Sequence, residues 1–227
     1  MRTAFHEQLD ALKDSVAELC HDTATMIHLA TDALLHNDMA AAEQVIARRD
    51  EINQVCAARE ADTFTILARQ APVARDLRAI LSALKNVADL QRMGALAAHV
   101  AQISRRRHPD TAVPADVISY FAEMGHIAVR LANDTKHVVA ESDSDRAAQL
   151  HADDEAMDNI HRRLFTLVLD PRWSHGTTAA VDVTLLSRYY ERFADHAVDI
   201  AQRVIYQRTG TLPSLQGRHQ QRRSWTA

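Results

Sequence analysis

A seam of mostly apolar residues, spaced alternately four and three positions apart, runs through the first 33 residues. Its members are Phe5, Leu9, Leu12, Val16, Leu19, Thr23, Met26, Ala30 and Ala33. This spacing is typical of a long α-helix that buries one stripe of its surface. With five glycines and five prolines in 227 residues, the chain also has few residues for the turns of a many-stranded protein. We therefore expect an all-α fold.

Polar breaks interrupt this periodicity and predict six long helices. Asn37-Asp38 provides a break with a capping residue, Pro72 separates the second helix from the third, and Gly210 is a stop signal. The expected helices cover about 3–35, 38–70, 73–106, 115–140, 144–169 and 177–209.

The two halves of the chain resemble each other. A constant offset of 105 places Asn37-Asp38 on Ser142-Asp143, Val45 on Leu150 and Asn53 on Asp158. The segment from His108 to Pro114 contains two prolines and is typical of a linker. We predict two tandem three-helix bundles related by an internal repeat. The predicted divisions are 1–108, 114–210 and a disordered tail at 211–227.

The sixth helix carries three carboxylates at every fourth position, Glu191, Asp195 and Asp199. Residues four apart lie on one side of a helix, so these three form a ridge over two turns. The fifth helix has a second polar line, and antiparallel packing of the two helices would bring both lines together. Their carboxylates would then suit iron, manganese or zinc, with His161 or His196 completing the site. The polar line is His151, Asp154, Asp158 and His161, and the predicted metal ligands are Asp154, Asp158, Glu191, Asp195 and Asp199.

Ion pairing along the same helix is an equally good interpretation of the ridge. Its carboxylates have opposite charges three or four residues away, which would neutralise them on a solvated face. The ridge also lies nearly opposite an apolar line, as on any amphipathic helix, and a lone histidine is more often a surface residue. The pairs are Arg188–Glu191, Arg192–Asp195 and Asp199–Arg203, and the apolar line is Leu186, Tyr190, Phe193, Ala197, Ile200 and Val204.

Charge and cysteine usage narrow the cellular setting. Charged residues are spread through the first thirty positions, so we expect neither a signal peptide nor direct membrane insertion. Cys20 and Cys56 have neither a disulfide nor a zinc spacing, and we expect buried thiols in a cytoplasmic protein. Subtracting the three arginines of residues 211–227 from the net charge of −4 leaves −7 for the preceding residues, which argues against nucleic-acid binding.

Three segments resemble the PhoU family of phosphate-transport regulators. They are Gln70 to Arg78 and Leu84 to Gly94 in the first half, and Tyr190 to Ala201 in the second. The family signature, E(D)-x-x-x-D-x-x-x-D, occurs once in each of two three-helix bundles, and the resemblance covers about residues 5–210.

The first copy of the signature departs from the family pattern. It has Gln91, Ala95 and His99 where the second copy has the three carboxylates, and alanine cannot bind a metal. Arg49 and Asn53 likewise stand in the places of Asp154 and Asp158. We therefore expect any metal on the carboxy-terminal half.

The resemblance implies a non-enzymatic adaptor that represses phosphate uptake and the phosphate-starvation response. Its implied partners are the nucleotide-binding subunit of the phosphate ABC transporter, a sensor histidine kinase and a second copy in a homodimer. They would hold this cytoplasmic protein at the inner membrane. The chain has no glycine-rich phosphate loop or nucleophile elbow, which fits an adaptor.

An alternative is a ferritin-like di-metal carboxylate protein or oxidase. Such sites use Glu-x-x-His pairs that face the interior of a bundle, and we expect no helix here to carry a glutamate three residues before a histidine. A DNA-binding repressor would need a basic recognition helix, which the sequence does not offer.

Overall fold

The computed structural model of the chain describes residues 2–211, and within that range it contains six α-helices and no strand. The helices are α1 Arg2–His36, α2 Met39–Gln70, α3 Ala74–Arg107, α4 Ile118–Glu141, α5 Ser144–Leu169 and α6 Gly176–Thr209. The all-α class and the number of helices are confirmed. The largest difference is at α4, which begins at Ile118 because residues 115–117 form a turn. Residues 212–227, almost all of the tail predicted to be disordered, lie outside the described range.

The breaks before α2 and before α5 have the same geometry. Asn37 and Ser142 adopt left-handed backbone angles, with φ of 53° and 54°. Asp38 then accepts hydrogen bonds from two backbone N–H groups of α2, and Asp143 does the same for α5, at 2.9 to 3.1 Å. An N-cap carboxylate satisfies donors that the first helical turn leaves unpaired. The predicted repeat is therefore visible in local structure.

Helices α1, α3, α4 and α6 form the centre of the molecule, and α2 and α5 lie outside them. Helix α2 packs on α1 and α3, and α5 packs on α4 and α6. Contacts of α1 with α4 and of α3 with α6 join the two halves around one continuous apolar core. The apolar line predicted on the sixth helix is buried in it throughout. Division of the chain into two domains at 108–114 stays a prediction.

The segment between α3 and α4 packs against the protein. Ala112 and Val113 are buried, and the Asn37 side chain donates a hydrogen bond of 2.7 Å to the carbonyl of Pro109. These contacts hold the predicted linker against the end of α1. Among the described residues, no helix has both the length and the apolar character required to cross a membrane.

Close packing of α1 against α4 depends on Gly125. A Cβ atom at this position would collide with the side chain of Thr31 on α1. Thr31 in turn reaches α6, where its Oγ1 lies 2.8 Å from the hydroxyl of Tyr190, and both residues are buried. This contact directly links the first half of the chain to the second.

Candidate metal-binding site

The polar line on α5 faces α6, as the metal-site prediction requires. His151 Nε2 lies 3.3 Å from the amide nitrogen of Gln202, and His161 Nδ1 lies 2.9 Å from Ser187 Oγ. These contacts fix an antiparallel register, and they mark the two ends of the line. Asp154 and Asp158 lie between the two histidines on the same side of α5, at the level of the α6 carboxylates. Four of the five predicted metal ligands are partly exposed, namely Asp154, Asp158, Asp195 and Asp199.

Glu191 differs from the other ridge residues because it is buried. Its carboxylate forms an ion pair with Arg188, one turn earlier on α6. This confirms one of the three ion pairs that the sequence predicts along the ridge. The remaining two pairs stay predictions, as does metal binding by the five carboxylates.

In the first half, none of the equivalent positions carries a carboxylate: Gln91, Ala95, His99 and Asn53 are neutral groups and Arg49 is a cation. The Gln91 amide donates a hydrogen bond of 3.1 Å to Asn53 Oδ1, joining α3 to α2. His99, at the place of Asp199, lies with its ring centroid 5.1 Å from that of Tyr189. Burial, and then the positive charge of Arg49, lower the pKa of His99. Neutral amides and a neutral imidazole do not compensate the charge of a divalent cation as a carboxylate ridge does.

A second polar cluster lies beside the ridge on α6, where this helix contacts α3. Asp89 of α3 contacts two basic side chains of α6: His196 Nδ1 lies 3.0 Å from its Oδ1, and Arg203 Nη1 lies 2.5 Å from its Oδ2. The same Arg203 nitrogen donates to Asn86 Oδ1 at 3.0 Å. Asn86 and Asp89 are three residues apart on α3, and His196 and Arg203 are seven residues apart on α6. Each pair therefore lies on one face of its helix.

The Asp89 carboxyl group is ionised in this environment. Burial is the largest single influence and would raise the pKa of Asp89, but His196 and Arg203 together outweigh it and hold the pKa below its ordinary value. Removing one partner of such a buried pair would leave a charge without compensation. The cluster therefore binds α3 to α6, and with them the two halves of the protein.

One group in the described part of the chain brings together three potential metal-binding side chains. The residues are Asp89, His196 and Asp199. Each offers one ligand atom, and the three atoms lie within 4.8 Å of one another. Sequence reasoning identified Asp199 and His196 but missed Asp89, because its partners lie more than 100 residues away. The available signal was an aspartate on α3 between the buried positions Val87 and Leu90.

The interpretation of the histidines as surface residues is wrong for His196, whose side chain is 8% exposed. The α3–α6 contact covers it, and its charged neighbours compensate the burial. His161 is half-buried. The expectation that no helix carries a Glu-x-x-His spacing is wrong, because the spacing occurs at Glu18–His21 and at Glu123–His126. All four of these side chains are exposed. Neither pair faces the bundle interior, so the di-metal carboxylate alternative gains no support.

Comparison with known proteins agrees with the fold and the repeat. The family model described as PhoU domain matches residues 16–104 and again residues 121–204. The phosphate-specific transport system accessory protein PhoU homolog 2 of Mycobacterium tuberculosis is 55% identical over 213 residues, which cover 94% of this chain and 100% of that protein. PhoU homolog 1 of Mycobacterium leprae is 52% identical, over 94% of this chain and 96% of that protein.

Two solved structures have the same fold. PhoU from Pseudomonas aeruginosa superposes with a TM-score of 0.79 at 28% identity, and the phosphate transport system regulatory protein PhoU from Streptococcus pneumoniae with 0.82 at 24% identity. Each match covers 93% of this chain and 100% of the other. The chain belongs to the PhoU family.

Proposed function

We propose that this member of the PhoU family is an accessory protein of a phosphate-specific transport system and represses the phosphate-starvation response. The main support for this proposal is that the family model matches both three-helix repeats. In addition, the chain is 55% identical to a named accessory protein over 94% of its length. Its mechanism is that of a non-enzymatic adaptor in the cytoplasm. Long, rigid helices present extended surfaces that two partners can occupy at once.

The partners of this adaptor are the nucleotide-binding subunit of the phosphate ABC transporter and a sensor histidine kinase. Four exposed apolar residues near the α5–α6 turn support a docking role. They form two pairs with four-residue spacing, Phe165 and Leu169 on α5 and Val181 and Leu185 on α6, and Leu169 is 67% exposed. Exposed apolar groups of this kind often mark protein-binding surfaces. A homodimer uses another of the broad helix faces.

The carboxylate ridge between α5 and α6 supplies a metal site to this adaptor. Iron, zinc or manganese would bind to Asp154, Asp158, Glu191, Asp195 and Asp199, since their oxygen donors suit these ions. The register of α5 on α6 supports this assignment because it puts both carboxylate lines at one level. Asp195→Asn combined with Asp158→Asn should lower the metal content of the purified protein, whereas a salt-bridged face would show no change.

A genetic experiment tests the regulatory role. The gene is introduced into a host from which every PhoU homologue has been deleted, and alkaline phosphatase is measured during growth with abundant phosphate. Deletion makes this output constitutive, and we expect the intact gene to restore repression. Constitutive output in the presence of folded protein would contradict the proposal.

The host must lack all homologues because a bacterium can carry two. Mycobacterium bovis has proteins named PhoU homolog 2 and PhoU homolog 1, which are 55% and 44% identical to this chain. A remaining copy would preserve repression and conceal the effect. Co-purification of the tagged protein with the transporter's nucleotide-binding subunit and with the kinase then tests the adaptor mechanism separately from the regulatory output.

A further inference from the structure

We propose that a cavity at one end of the bundle, where α1 and α3 begin and α4 and α6 end, binds a nucleoside phosphate. The cavity has a volume of about 670 Å³, a size typical of small-molecule sites. Residues of both halves of the chain line it, so the site needs the joined halves. This proposal is independent of the regulatory function, because ligand binding is measured on the purified protein.

Basic side chains in the cavity wall are suited to the phosphate groups. Lys13 on α1 and Arg75 in the first turn of α3 line the cavity, and neither forms an ion pair with any residue in the described range 2–211. Arg208 near the end of α6 is a third cation in the wall, and it donates a hydrogen bond of 3.1 Å to Ser144 Oγ. Lysine and arginine are the usual partners of phosphate oxygens in proteins. An anion in the cavity would give Lys13 and Arg75 a counter-charge.

Asn86 adds a fixed hydrogen-bond donor to the same wall. Its side chain is 2% exposed, and its Oδ1 accepts a hydrogen bond of 3.0 Å from Arg203. The amide nitrogen donates to no other residue in the described part of the chain. A buried polar group normally has a partner, and a ligand oxygen in the cavity would supply one. This donor is an argument for a ligand that does not depend on charge.

The rest of the wall selects the kind of anion. Asp10 and Asp76 also line the cavity, and carboxylates accept hydrogen bonds from ribose hydroxyls in other nucleotide sites. Leu9, Val139 and Val204 provide apolar surface for a base. Inorganic phosphate would use neither feature and would leave most of the volume unfilled, and a fatty acid would have no use for the two carboxylates. Cations, carboxylates and apolar surface together favour a nucleoside phosphate.

Isothermal titration calorimetry with ATP, GTP and AMP in turn tests the proposal. EDTA is present so that no metal ion can join a nucleotide to the carboxylate ridge. We expect one nucleotide to bind per chain and inorganic phosphate to bind much more weakly. Absence of binding by all three nucleotides, or equally tight binding of inorganic phosphate, would overturn the proposal.

A pair of charge-matched variants locates the bound nucleotide. Lys13→Met with Arg75→Met should weaken binding more than about tenfold, because it removes two cations from the cavity wall. Lys85→Met with Arg106→Met removes the same charge from exposed positions of α3 that do not line the cavity, and should bind as the wild-type protein does. Equal weakening in both variants would mean a non-specific attraction between charges and would contradict the site.

Two further measurements do not depend on charge. Ala79→Trp places a large side chain in the cavity and should abolish binding, with circular dichroism checking that the variant is folded. Photo-crosslinking with an azido-adenine nucleotide needs no variant. Labelled peptides from residues 6–16 or 75–86 support the site, and labels only elsewhere overturn it.

Discussion

Buried polar contacts between single side chains connect the two repeats. The hydrogen bond between Thr31 and Tyr190 is one of them. The Thr31 hydroxyl donates to the carbonyl of Ile27 at 2.7 Å, so it accepts from the Tyr190 hydroxyl, 2.8 Å away. Burial raises the pKa of Tyr190 well above its ordinary value and keeps the phenol protonated as a donor. The two hydroxyls therefore depend on each other unequally. Thr31 has a second partner, and Tyr190 relies on Thr31.

This asymmetry predicts the result of a double-mutant cycle. Thr31→Val should destabilise the protein by about 1–3 kcal/mol, because it leaves the buried Tyr190 hydroxyl without its acceptor. Tyr190→Phe should lower the free energy of unfolding by less than Thr31→Val does. In the Tyr190→Phe background, Thr31→Val should lower it by less than it does in the wild-type protein. Urea unfolding of the four proteins measures these free energies. Strictly additive losses would contradict the coupling.

The half-buried His161 predicts a dependence of stability on pH. Burial, and then the charge of Arg188, lower its pKa from 6.5 to about 4. The unfolded chain binds a proton near the ordinary pKa and the folded protein only near the lowered one. Stability should therefore fall as the pH decreases from about 6.5 to about 4 and be constant, for this group, above that window.

His161→Gln isolates this contribution, since glutamine can still hydrogen-bond to Ser187 and does not titrate. We expect the urea midpoint to fall less for the variant than for the wild-type protein between about pH 7 and about pH 5. The other twelve histidines are the same in both proteins, so they do not affect the comparison. Equal slopes would show that His161 does not contribute.

At the scale of elements, the helices were predictable because the signals that define them are local. Asp38 and Gly210 act within one turn of the helix that they begin or end, and the apolar spacing of α1 is continuous. The α5–α6 part of the candidate site was predictable for the same reason. The Asp89–His196 contact was not, because it depends on which face of α3 meets α6. The offset of 105 similarly predicts that the halves are alike, and says nothing of their packing.

The outer face of α5 carries a prediction about partner binding. Phe165 and Leu169 are 38% and 67% exposed, so replacing both by serine should lower the free energy of unfolding by about 1–3 kcal/mol, mainly from the partly buried Phe165 ring, and leave the protein folded. We expect the same variant to lose repression of alkaline phosphatase and co-purification with its partner. Thr166→Ala, at an exposed position on the same turn, is the matched control and should behave as wild type. Intact repression in the serine variant would exclude this surface.

At the scale of the molecule, the contacts of α1 with α4 and of α3 with α6 oppose the view that each half is a separate folding unit. Side chains of both halves enter one core, and Asp89 has its basic partners, His196 and Arg203, on the other half. Separating the halves would expose apolar faces of α1 and α3 and leave Asp89 without those partners. The free energy of each half thus depends strongly on the presence of the other.

We therefore predict a single cooperative unfolding transition for the whole chain, with equal calorimetric and van't Hoff enthalpies in scanning calorimetry. A fragment of residues 1–110 should lack a cooperative transition and should expose apolar surface to a fluorescent dye, because no partner covers α1 and α3. Adding the complementary fragment should restore cooperativity if the shared core is the cause. Two resolved transitions, or a stably folded fragment, would instead support the domain boundary predicted at 108–114.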